Sequence, residues 1–155
     1  MEFDDLVAAY AASTDRLQQA IADIGDDLDM RPADGWSARM IVHHLADAET
    51  NAYVRLRRLL AEEPGTAIQG FDESAWANCP ELGYDDLPIA HSHAVLTSVR
   101  AASLDVLYRL SPADLDRAGV HTEGGHYTLR GWITHHTAHA NDHATQIEHA
   151  IGREA

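Results

Sequence analysis

The sequence predicts an all-α fold, a four-helix bundle with one long crossover between its second and third helices. Three observations carry this expectation. Four long segments place apolar residues at helical spacing, and each has a recognisable cap or stop. A stretch from Glu63 to Leu87 separates the second segment from the third without helical patterning. No segment alternates apolar and polar residues convincingly enough for a β-sheet. At 155 residues the chain suits one domain, 1–155, large enough to bury a core without disulfides.

The first helix is expected from Phe3 to Ile24, with Leu6, Tyr10, Leu17, Ile21 and Ile24 on its inner stripe and Gly25 as its stop. Asp26 to Gly35 is acidic, contains Pro32, and reads as a connection. The second helix begins after the N-cap Ser37 and runs to Glu62, ended by Pro64-Gly65. Its inward residues are Ile41, His44, Leu45, Ala48, Ala52, Leu56 and Leu59. The crossover carries Phe71, Trp76, Cys79 and Pro80; a connection of this length reads as a lid over a site or as a plain crossover. The third helix spans Pro88 to Leu110. Ser111-Pro112-Ala113-Asp114 opens a short extra turn, and glycines 119, 124 and 125 mark a loop or small hairpin around His121 to Tyr127. Thr128 caps the fourth helix, which Gly152 ends after Ile151. Such a set of helices, with one long crossover, makes a four-helix bundle.

Composition narrows the function. Twenty-five acids against eleven bases give a net charge of −14, which repels phosphate backbones and anionic membranes, so neither nucleic acid nor membrane is an expected partner. No apolar run is long enough to span a bilayer, and the acidic start Met1-Glu2-Phe3-Asp4-Asp5 does not resemble a signal peptide, so a cytoplasmic protein is expected. Cys79 is alone, so no internal disulfide forms. Every basic residue is arginine; without lysine, Schiff-base chemistry of the usual kind is excluded.

Histidine is over-represented. Of eleven, four (His135, His136, His139 and His143) fall within nine residues of the last helix. Residues four apart on a helix lie about 40° from each other, so His139 and His143 aim two imidazoles at one point. His136 is within about 60° of His139 and competes as a ligand, while His135 lies on the other flank. An i,i+4 histidine pair is by itself a non-specific motif. A metal site needs a further ligand from another element. The second helix offers His43 and His44, about 100° apart, so only one is expected to face inward. His44 shares the apolar stripe and is chosen; His43 sides with Arg39 and Asp47. The expected site is therefore one divalent metal ion held by His44, His139 and His143 in the bundle core. The residues between His139 and His143 lack the glutamate of an HExxH motif, so the chain is not a zincin, and Asp142 reads as solvated.

Three segments in register resemble a known family. Trp36-Ser37-Ala38-Arg39-Met40-Ile41-Val42-His43-His44-Leu45-Ala46-Asp47 resembles the second-helix motif of the DinB-like superfamily, in particular its YfiT-like branch of metal-dependent hydrolases. Phe71-Asp72-Glu73-Ser74-Ala75-Trp76 looks like that branch's crossover, and His139 to Ile147 is similar to its closing His-x-x-x-His motif. The resemblance covers Trp36 to Ile147. It implies an up-down-down-up bundle and a three-histidine site for zinc or nickel, at His44, His139 and His143. Gln146 stands where some relatives carry histidine. Relatives include transferases that join low-molecular-weight thiols, such as bacillithiol or mycothiol, to electrophiles.

Two chemistries suit such a site, acting on a small-molecule substrate. The leading expectation is thiolate activation, which makes the protein a thiol-dependent S-transferase with mycothiol the expected thiol; the alternative is a hydrolase using a metal-bound hydroxide. A non-catalytic metal-binding protein is the third reading. Asp47, Glu49 and Gln146 are candidates to orient a nucleophile, although the favoured reading of Asp47 and Glu49 is a solvated helix face. Trp36 and Trp132 read as packing anchors, and Tyr53, Phe71 and Trp76 as core or pocket lining. Cys79 reads as a buried hydrophobe and His121, His126 and His149 as exposed. Arg55, Arg57 and Arg58 form a basic patch, either salt-bridged or facing a carboxylated thiol. A homodimer is compatible with such a bundle.

Overall fold

The computed structural model describes residues 1–153; the last two positions of the expected 1–155 unit lie outside the described residues. Four long helices form where the periodicity places them: α1 (Phe3–Ala22), α2 (Ala38–Ala61), α4 (Ala90–Leu107) and α5 (Leu129–Ala150). A short helix, α3 (Glu73–Ala77), interrupts the crossover. The caps are those the sequence announces. The Ser37 hydroxyl accepts from the Met40 N–H, and the Thr128 hydroxyl accepts from the Gly131 N–H. Gly25 and Gly152, at φ 55° and 71°, take the left-handed backbone that follows a helix end. The third helix starts two residues later and ends three earlier than expected.

The packing follows an up-down-down-up order. Tyr10 lies on Trp132 and Arg16 reaches Thr145, so α1 and α5 run parallel. His43 meets Ser92 and Glu49 meets Arg100, so α2 and α4 also run parallel. His44 meets His139, and the Trp132 indole N–H donates to the Ala52 carbonyl, so α2 and α5 are antiparallel. α1 packs on α5 and α4, and α2 on α4 and α5, which sets α1 and α2 on opposite corners. Parallel neighbours explain the crossover: the chain must travel back the length of α2 before α4 begins. All the inner-stripe residues expected on α1 and α2 are buried.

A small three-stranded sheet sits at one end, against the expectation of none. β1 (Ala67–Ile68) pairs in parallel with β2 (Ala118–His121), which pairs antiparallel with β3 (Gly125–Thr128). The β2–β3 hairpin is the one suggested by the glycines around His121 to Tyr127. β1 has no sequence signal because two residues cannot show a period; its backbone groups simply need partners where the crossover meets the hairpin. Among the described residues, no helix is long and apolar enough to cross a membrane.

Candidate metal centre

α2 and α5 cross so that three imidazoles meet between them. His44 Nε2 lies 3.4 Å from His139 Nε2, and His143 Nε2 lies 3.1 Å from the same atom. The His44 and His143 rings are 4.8 Å apart between centroids. The i,i+4 spacing delivers the α5 pair, and the buried stripe of α2 delivers His44. Trp36 holds its ring edge-on to His44 at 5.1 Å, and His135 stacks on His139 at 5.8 Å. His143 Nδ1–H donates to Gln146 Oε1 at 2.6 Å, a tautomer that leaves the Nε2 lone pair facing the other two rings. The Nδ1 atoms of His44 and His139 are buried without a partner, so packing rather than a protein acceptor orients those rings.

This arrangement fits a cation. Burial pushes the His44 pKa down to about 4, with nearby His143 adding to the effect. His139 is lowered chiefly by burial and then by His143 and His44; His143 is lowered by burial, against the opposing pull of Gln146 and Asp142. The three rings are therefore neutral near pH 7 and bring lone pairs together. Zinc–nitrogen bonds of about 2.0–2.1 Å in a tetrahedral site set neighbouring nitrogens about 3.3–3.4 Å apart. The observed 3.4 Å matches that spacing and the 3.1 Å falls slightly short of it.

Behind the triad lies a buried polar centre that sequence reasoning missed. Arg100 on α4 is fully buried and donates to Glu49 Oε1 at 2.7 Å, Thr14 Oγ1 at 2.8 Å and Ser13 Oγ at 3.0 Å, with its guanidinium 4.2 Å over the Tyr10 ring. Glu49 is only 2% exposed, which corrects its reading as a solvated face. Burial raises its pKa, and Arg100 opposes the shift. The signal was present: Glu49 falls four residues after Leu45 and Arg100 four after Leu96, both on apolar stripes. His136, the competing ligand, points into this centre rather than into the triad. Its Nδ1 lies 3.8 Å from Glu49 Oε1, both ring nitrogens lack hydrogen-bond partners, and burial drives its pKa well below the usual value. Glu49, His136 and His139 form a second grouping that shares His139.

Other expectations resolve individually. His43 is buried as well, against the reading that only one of the pair turns inward: its Nε2–H donates to the Leu87 carbonyl and its Nδ1 accepts from the Ser92 hydroxyl. The start of α4 covers a face of α2 that no residue count on α2 reveals. The Tyr84 O–H donates to Asp47 at 2.6 Å. Gln146 is engaged with His143. Asp142, His126, His135 and His149 are exposed, whereas His121 is half-buried. Cys79 is half-buried rather than buried, its thiol donating to Glu81. Arg57 lies over Tyr53 and Arg58 beside Glu62, but Arg55 turns inward and donates to the Gln69 carbonyl. Phe71 and Trp76 pack on each other, 4.8 Å between centroids.

Comparison with known proteins agrees with this fold. A protein of Bacillus mycoides named "Putative metal-dependent hydrolase" is 30% identical over 149 residues, 88% of this chain and 84% of that one. A protein of Oceanobacillus iheyensis with the same description is 34% identical over 113 residues, 73% of this chain and 63% of its own. The solved structure of YfiT from Bacillus subtilis, described as "a probable metal-dependent hydrolase with an unusual four-helix bundle topology", superposes with a TM-score of 0.78 at 26% identity, covering 98% of this chain and 89% of that one. The model of the DinB superfamily matches residues 9–147, and the chain belongs to that superfamily.

Proposed function

We propose that the protein is a metal-dependent hydrolase of a small molecule, its divalent ion held by His44, His139 and His143. The observation that carries this reading is the convergence of three neutral ring nitrogens at metal-ligand spacing, in a chain whose relatives carry the name of metal-dependent hydrolases. When bound, such an ion supplies Lewis acidity, polarising a carbonyl and letting water or a thiol lose its proton near neutral pH. The chain's own residues hold the geometry. Gln146 fixes the His143 tautomer, Trp36 and His135 restrict the His44 and His139 rings, and the buried Glu49–Arg100 pair joins α2 to α4 behind them.

One observation favours a second reading, transfer of a low-molecular-weight thiol to an electrophile. The carboxylates nearest in sequence to His44 are committed elsewhere, Asp47 to Tyr84 and Glu49 to Arg100, so neither is free to act as the base. Thiol activation does not need one, because a coordinated thiol is deprotonated outright. Zinc and nickel both suit imidazole ligands. The test is elemental analysis of wild type, His44→Ala and His143→Ala, followed by ester and amide assays with and without mycothiol or bacillithiol. About one equivalent of metal, lost in both variants, with turnover that needs no thiol, is the expected result. Turnover only with thiol selects the transferase, and a wild type that takes up neither zinc nor nickel overturns both.

A further inference from the structure

Beside the triad, at the end of the bundle nearer the sheet, lies a cavity of about 270 Å³ lined by Arg55, Phe71, His121, Tyr127 and His135 and by the exposed Glu73 and Glu123. Arg55 is 9% exposed, yet its guanidinium has no carboxylate partner: its Nε and Nη2 both donate to the neutral Gln69 carbonyl, and it forms no ion pair among the described residues. A buried charge in that condition is costly, and buried arginines are normally paired. The Tyr127 hydroxyl is also buried, beside the Arg55 guanidinium, and its O–H has no acceptor among the described residues. Burial raises its pKa while Arg55 pulls the other way, so the two groups sense each other. Arg55 also lowers the pKa of His121, second only to burial. The planar fork of an arginine matches a carboxylate bidentately, and a phenol O–H supplies a third donor to the same anion.

The remaining lining gives scale and direction. Phe71 and Tyr127 offer apolar ring faces to the body of a small ligand. His135 borders the cavity on one side and stacks on His139 on the other, so the cavity opens within one ring of the triad. Glu73 and Glu123 are exposed, where solvent and salt screen them, but they still weigh against a second negative charge on the ligand.

We propose that this cavity is a carboxylate-binding subsite, in which Arg55 and Tyr127 hold the monoanionic carboxylate of a small, partly apolar substrate. Binding depends only on these residues. That the held molecule then presents its reacting group to the triad rests on the hydrolase reading given above.

The test is an NMR titration of benzoate, benzamide and inorganic phosphate into metal-free and zinc-treated wild type, with Arg55→Gln and Tyr127→Phe beside it. Benzoate is expected to bind about tenfold or more tightly than benzamide, with or without zinc, because only the anion satisfies the guanidinium. Phosphate is expected to bind more weakly than benzoate. The shifted amides should cluster around Arg55, His121 and Tyr127, a readout that wild type alone supplies should Arg55→Gln fail to fold. Both variants should erode the preference for benzoate, Arg55→Gln the more. Equal binding of benzoate and benzamide overturns the subsite, as does tighter binding of phosphate. Benzoate binding that requires zinc and disappears in His143→Ala places the carboxylate at the triad and overturns it too. If the protein takes up no metal but benzoate still binds at Arg55, the subsite stands and the hydrolase reading falls.

Discussion

The Glu49–Arg100 pair is where single side chains matter most. Both partners lie out of water, and Arg100 also links Tyr10, Ser13 and Thr14 of α1 to the carbonyl of His136 on α5. Removing one partner of a buried pair leaves the other charge uncompensated, so Arg100→Met is expected to cost about 3–5 kcal/mol of stability. The double variant Glu49→Met/Arg100→Met should recover much of that loss, since two well-packed apolar side chains leave no buried charge. Urea midpoints of wild type, Arg100→Met and the double variant at pH 7.5 check both statements. Gln146 acts on a smaller scale. It is the acceptor that fixes the His143 ring, and loss of such a partner typically weakens metal binding about 10–100-fold. Gln146→Ala should show that drop in a zinc competition titration while its helix content stays that of wild type.

At the scale of the element, the start of α2 matters because His44 follows within two turns of it. Ser37 is 1% exposed and its hydroxyl satisfies the Met40 N–H at 3.3 Å. Ser37→Ala should cost about 1 kcal/mol, and Ser37→Asp should retain most of the stability, measured by thermal or urea unfolding. The crossover is the other decisive element. It carries β1 and α3, and it delivers Phe71 to the Arg55 cavity and Tyr84 to Asp47, tasks a bare return strand would not perform.

For the whole molecule, burial of neutral histidines couples stability to pH. His44, His136, His139 and His143 all have folded pKa values below the usual 6.5, each chiefly through burial. The unfolded chain therefore binds more protons at acid pH than the folded one does. The stability these groups contribute is complete above about pH 6.5 and declines as pH falls toward 4, the His44 value. The urea midpoint of the metal-free protein should accordingly be lower at pH 5 than at pH 7.5. A His136→Phe variant, lacking one of the four groups, should show a shallower decline; an unchanged slope would remove His136 from the account.

The sequence by itself determined the helical class, the caps at Ser37 and Thr128, and the ring faces at His44, His139 and His143, because helical period and side-chain chemistry are local properties. It placed the crossover but not its content, since two-residue β1 is shorter than any period. What only the tertiary structure decided is which polar residues lose their water. Glu49 and Arg100 follow apolar stripes, but only the packing of α2 on α4 joins them, and His43 and Arg55 sit on faces of α2 that look solvated until α4 or the crossover covers them. Burial is a property of the neighbour as much as of the residue. The neighbours here are distant in sequence because α2 and α4 run parallel, and the chain must cross the whole bundle between them.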